Sequence, residues 1–234
     1  MTTDKTIIAI HGAGMHADVW RTLAEKLPCR PDRFLALSLP GHGKTPGPLR
    51  PSIDEMAAWV EGQIKDYSPQ SIVLAGHSMG ALVALAAARN PAVGALVLLG
   101  AAALMPVHPD LLKQAVAAPD AAAAMILKWG VSAAHPEAVE ILKEQMQPAA
   151  LANDLKACND YQHGETAAKQ IHRPVLILAG SEDKLTKPAA GKALSESIPH
   201  ARFHLVSGSG HMLMVENPIE TAQEISIFMT ALNN

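Results

Sequence analysis

The stretch Ser71-Ile72-Val73-Leu74-Ala75-Gly76-His77-Ser78-Met79-Gly80, followed at once by an alanine-rich run over 81–89, decides how this chain folds. Residues 71–75 are apolar on consecutive positions, the pattern of a strand covered on both faces. The run after Gly80 has the composition of a helix. Between them Ser78 is bracketed by two glycines at a strand-to-helix corner. A corner this sharp forces the serine into strained backbone angles, and side chains at 76 and 80 would strike the neighbouring strand and helix. The turn lifts the hydroxyl clear of the sheet, at a helix N-terminus whose dipole favours developing negative charge.

Similar short aliphatic runs occur at 6–10, 34–39, 95–99, 174–179 and 202–206. Helical patterns fall between them at about 17–27, 52–66, 79–89, 188–197 and 216–231. Ser52 with Glu55 reads as a capping box, and Pro218 suits a first helical turn. Strands alternating with helices predict an α/β fold, a mostly parallel sheet of about six to seven strands with helices on both faces. The interval 105–170 breaks the alternation. It holds no strand-like run, only alanine-rich stretches punctuated by Pro106, Pro109, Pro119, Pro136 and Pro148, which suggests about four short helices. Such an insertion after the fourth visible strand is a cap or lid over a core of 1–104 and 171–234, the alternative being a helical bundle that only pads the fold.

A serine hydroxyl needs a base, and the base needs an orienting group. Of the eleven histidines, His211 follows the last strand through Ser207-Gly208-Ser209-Gly210, a loop able to swing a side chain over the carboxyl ends of the strands. His77 is expected to point away from Ser78, and His11 to fix a loop rather than to take protons. His108, His135, His163, His172 and His200 read as ordinary polar positions. The run 174–179 ends in Gly180-Ser181-Glu182-Asp183, while the preceding strand ends in Gly100-Ala101-Ala102-Ala103 with no acid. Asp183 is therefore the expected orienter, with Glu182 the fallback. Two backbone N–H groups are needed to hold an oxyanion. Met79, directly after the serine, supplies one; Ala13, in the glycine-bearing loop His11-Gly12-Ala13-Gly14, supplies the second.

Composition limits the partners. The 234 residues are 49% hydrophobic and 18% charged with a formal net charge of −3, a globular balance without the basic footprint of a nucleic-acid binder. No polybasic run suggests a membrane surface, no segment approaches the length of a membrane span, and the N-terminal stretch lacks the longer apolar core of a signal peptide. A cytoplasmic location is the default. Cys29 and Cys158 have no CxxC spacing and read as two small buried thiols. No ligand cluster calls for a metal, and no cofactor is expected. Oligomeric state is not legible.

Together these motifs resemble the α/β-hydrolase superfamily: His11-Gly12 after the first strand, Leu39-Pro40-Gly41-His42-Gly43 after the second, the Ser78 corner, Gly180-Ser181-Glu182-Asp183 and Gly208-Ser209-Gly210-His211. The segment 11–20 is similar to small bacterial carboxylesterases with a helical cap. The resemblance implies nucleophile, acid and base at Ser78, Asp183 and His211, and oxyanion donors at Ala13 and Met79. Few residues precede the first strand, so the antiparallel hairpin that usually opens the family's sheet is expected to be missing.

Three functions fit. The first is hydrolysis of carboxylic esters, with a small-molecule ester as substrate. The second is hydrolysis of carbon–carbon bonds in ring-cleavage products. Relatives of that kind usually carry asparagine before the serine and an arginine in the cap, whereas here His77 precedes Ser78 and no arginine occurs between Arg89 and Arg173; Lys113, Lys128 or Lys143 would replace the charge imperfectly. The third is a slow-turnover ligand receptor on the same fold. Met105, Met125, Met146, Leu112 and Leu127 either line an apolar pocket or pack the cap against the body.

Overall fold

The computed structural model describes residues 5–28 and 30–232; the expectation for Cys29 lies outside them. Six strands form one parallel sheet: β1 (Thr6–Ile10), β2 (Phe34–Leu37), β3 (Ile72–His77), β4 (Val93–Leu99), β5 (Val175–Gly180) and β6 (Arg202–Val206), in the order β2-β1-β3-β4-β5-β6. Every residue of β1, β3 and β5 is buried, which accounts for their unbroken apolar runs.

Odd and even positions serve opposite faces. Ile8, Ile10, Ile72, Leu74, Leu96 and Leu98 pack under α2 (Ile53–Ile64), α3 (Met79–Ala87) and α9 (Pro188–Ser197). Ile7, Ala9, Val73, Ala75, Val97 and Leu99 pack under α1 (Arg21–Ala24), α10 (Leu213–Glu216) and α11 (Pro218–Ala231). Helix α2 opens as its sequence predicts, with Ser52 Oγ accepting from the Glu55 N–H at 3.2 Å. The helix expected over 216–231 is α11, with Pro218 in its first turn, and the short α10 precedes it. Asn217 stands at φ −128°, ψ 59° because a residue before proline avoids the helical region, and this breaks α10 from α11. The helix expected over 17–27 shrinks to a 3-10 turn at Ala17–Trp20 running into α1.

Between β4 and β5 the chain is all helical: α4 (Pro109–Ala117), α5 (Pro119–Gly130), α6 (Glu137–Lys143), α7 (Leu151–Asp160) and α8 (Gly164–Lys169). Pro109 and Pro119 each occupy a first helical position, where the missing N–H costs nothing. Helix α8 has no proline signal, and it packs with α3 and α9 on the sheet face. Among the described residues no helix is long and apolar enough to cross a membrane.

The strand order sets the site. From β1 the chain moves outward to β2 and then returns to place β3 on the other side of β1, so the connections after β1 and β3 diverge at their carboxyl ends. Ile10 and Gly76 are register partners there. Parallel sheets hold ligands at such a switch point.

Candidate active site

Ser78 lies between β3 and α3 at φ 52°, ψ −116°, a conformation rare for any residue with a side chain and worth about 1–3 kcal/mol of strain. The surroundings hold it there. Its N–H donates to Leu99 O at 2.9 Å, and its carbonyl accepts from the Ala81 N–H at 2.8 Å. The flanking glycines are needed for the reason the sequence suggested. A Cβ at Gly76 would fall 2.2 Å from Gly80 O, and one at Gly80 would fall 2.3 Å from Ile10 O.

His211 is buried, and its Nδ1–H donates to Asp183 Oδ2 at 2.7 Å. The carboxylate is fully used, since Oδ1 accepts the N–H groups of Leu185 and Thr186, each at 2.8 Å. This bond fixes the imidazole tautomer and leaves Nε2 as the acceptor. Glu182, the fallback orienter, is exposed and contributes its backbone N–H to Ser209 O instead. Ser78 and His211 line one cavity of about 450 Å³, though no hydrogen bond joins them. Gly12 and Ala13 share its wall. A Cβ on Gly12 would reach to 3.4 Å from Ser78 Cβ, so the loop after β1 runs close against the corner. The Met79 side chain turns into the core beneath α2, and its N–H belongs to the first turn of α3, where a helix leaves its donors free.

Much of the remaining wall is apolar: Met15, Leu111, Ile126, Leu155, Trp129 and Met212. Of the side chains with two readings, Met105 lines the cavity, whereas Met125, Met146, Leu112 and Leu127 pack into the core cluster. Cys158 is a buried part of the wall, and burial pushes its thiol pKa up.

His77 lines the cavity, and its ring lies 4.8 Å from that of His211. Its Nε2–H donates to His211 O at 3.0 Å. Burial, then the neighbouring His211, holds its pKa well below the usual histidine value, so His77 is a neutral prop under the loop that carries His211. His11 has the expected loop-fixing role. Its Nδ1–H donates to Gly12 O at 2.9 Å, and its Nε2 accepts from the Leu39 N–H at 3.1 Å.

Two buried carboxylates escaped the sequence reading. Glu216 Oε2 accepts the N–H groups of Gly210 and Ser132, and Oε1 accepts that of Met212, each at 2.8 Å. It therefore grips the residues on both sides of His211, whose own N–H donates to Gly130 O at 2.6 Å. Asp154, on α7, pairs with His42 in the loop after β2. An isolated acid in a helix carries no local sign of either role.

The model of the "Alpha/beta hydrolase family" matches residues 7–224. A pimeloyl-[acyl-carrier protein] methyl ester esterase from Aromatoleum aromaticum is 28% identical over 92% of this chain and 94% of its own length. The human monoacylglycerol lipase ABHD6 is 23% identical over 98% of this chain and 76% of its own. Among solved structures, a thermophilic esterase from Thermogutta terrifontis superposes with a TM-score of 0.85 at 22% identity, covering 100% of this chain and 92% of that one. The enol-lactonase from Burkholderia xenovorans LB400 gives 0.84 at 21% identity, covering 97% and 92%. With a family match that spans the sheet, the Ser78 corner and the loop bearing His211, this chain belongs to the α/β-hydrolase family.

Proposed function

We propose that the chain is a serine hydrolase of carboxylic esters with small to medium acyl groups. Ser78 Oγ attacks the ester carbonyl as His211 Nε2 takes its proton. The Asp183 carboxylate holds the Nδ1–H and steadies the imidazolium that forms. The N–H groups of Ala13 and Met79 receive the oxyanion, each such donor lowering the barrier by roughly 2.7–4 kcal/mol. Collapse of the tetrahedral intermediate expels the alcohol, which takes its proton from His211, and leaves an acyl-serine. Water, deprotonated by His211, then attacks the acyl carbon and releases the acid. The cap over 105–170 supplies part of the apolar wall against which the acyl chain rests.

The observation that carries this reading is the 2.7 Å bond from His211 to Asp183, made by an imidazole that shares a cavity wall with a strained serine. The methyl ester esterase relative, similar over nearly its whole length, supports ester over other acyl substrates. A fluorophosphonate probe followed by peptide mapping tests it. Ser78 is expected to be labelled, and Ser78→Ala to lose both labelling and turnover of p-nitrophenyl esters. Turnover that survives Ser78→Ala removes the nucleophile.

A further inference from the structure

The cap holds the loop after β1 by its backbone. Gly14 is gripped from both sides: its N–H donates to Asp154 Oδ2 at 2.8 Å, and its carbonyl accepts from the Gln147 N–H at 2.6 Å. A Cβ on Gly14 would fall 2.3 Å from Leu151 Cδ2, so the Leu151 side chain lies directly against this loop. Asp154 is itself held. Oδ2 also accepts from His42 Nε2 at 2.9 Å, Oδ1 accepts from Asn153 Nδ2 at 3.1 Å, and both members of the His42–Asp154 pair are 0% exposed. His42 Nδ1 donates to Pro40 O at 3.2 Å. A buried ion pair is a costly way to obtain stability alone, yet this one fastens a residue adjacent to Ala13.

We propose that Asp154, braced by His42, is a positioning residue for the oxyanion loop: by fixing Gly14 it aims the Ala13 N–H, so the cap is a built part of the catalytic frame. The inference rests on the ester-hydrolase reading for its kinetic consequence, but the anchoring of Gly14 stands without it. An N–H that must meet a developing oxyanion at about 2.7–3.1 Å tolerates little drift. Residues 12–14 carry no polar side chain of their own, so beyond His11 the loop depends on partners elsewhere to hold it still.

The test separates positioning from stability. His42→Leu combined with Asp154→Leu replaces the ion pair by apolar side chains, an exchange that buried pairs often accept without loss of stability, while leaving the Gly14 N–H without its acceptor. Asp154→Asn keeps an oxygen for that N–H. Each is assayed on p-nitrophenyl acetate, whose acyl group is too short to depend on the cap, together with its melting temperature and with Ser78→Ala as control. The double variant is expected to stay folded with kcat lowered about 10–100-fold and KM changed less than threefold, and Asp154→Asn to recover most of the rate. A folded double variant with wild-type kcat overturns the proposal. If the double variant does not fold, Asp154→Asn decides: Gly14 amide exchange within threefold of wild type and most of kcat retained support the anchor, while a tenfold loss of kcat with that amide still protected overturns it. Wild-type turnover that is absent, or that persists in Ser78→Ala, defeats the hydrolase reading instead. The Gly14 amide then decides alone, by exchanging at least tenfold faster in the double variant or, against the proposal, at the wild-type rate.

Discussion

Gly100, just past the end of β4, leaves no room for a side chain beside His211: a Cβ there would lie 2.9 Å from both Cε1 and Nδ1 of the imidazole. The same residue sits at φ +55°. Gly100→Ala therefore incurs backbone strain of about 1–3 kcal/mol and also pushes the ring off Asp183. Turnover of p-nitrophenyl acetate is expected to fall about 10–100-fold in protein that still melts cooperatively. A variant with full turnover would mean that the ring tolerates displacement.

Ser78 offers a second stability test. Glycine removes the penalty of the φ 52° conformation at the corner, a gain of about 1–3 kcal/mol, against about 0.4–1 kcal/mol of extra entropy in the unfolded chain. The strain wins. Ser78→Gly is expected to melt above Ser78→Ala, both being inactive. The reverse order in calorimetry would show that the corner is not strained.

Glu216 accepts three backbone N–H groups around His211. Glu216→Gln turns one acceptor into a donor facing a donor, a buried mismatch costing about 1–3 kcal/mol. Because two of those amides flank His211, kcat is expected to fall about tenfold with KM little changed. A drop in melting temperature with no change in kcat would make Glu216 purely structural.

The buried imidazoles set the acid limit of stability. Burial, and secondarily His42, lowers the His11 pKa to about 4. Below about pH 6.5 the unfolded chain binds a proton that folded His11 refuses, so its contribution is whole above pH 6.5 and is lost as pH falls toward 4, about 3 kcal/mol in all. His77, whose pKa is lowered by burial and by His211, acts in the same direction. His42 acts oppositely. Burial alone would lower its pKa, but the hydrogen bond and charge of Asp154 and the carbonyls of Pro40 and Leu39 raise it. Its contribution is whole at acid pH and lost as pH rises through that raised value. Two lowered groups outweigh one raised group, so the melting temperature is expected to fall between pH 6.5 and 4.5, and to fall less steeply in His11→Asn. A flat wild-type profile over that range would contradict the neutral buried His11.

The strand-and-helix order was legible because each element declares itself locally. Consecutive apolar residues mark strands covered on both faces, and prolines mark the starts of α4 and α5. The boundaries at 17–27 and 216–231 were less legible, since short turns and the break at Asn217 depend on backbone angles that composition only hints at. Glycines mark the tight places around the candidate site. Gly76 and Gly80 bracket Ser78, Gly12 approaches it, and Gly210 precedes His211.

The sheet and the serine corner were legible from local sequence, because both follow from steric demands among near neighbours in the chain. Only the tertiary structure decided that His77 props His211, that Glu216 reaches 84 residues back to Ser132, and that Asp154 meets His42 across 112 residues. Those contacts join groups with no shared periodicity. A buried carboxylate looks like any surface acid until the fold withdraws it from water and supplies its hydrogen bonds.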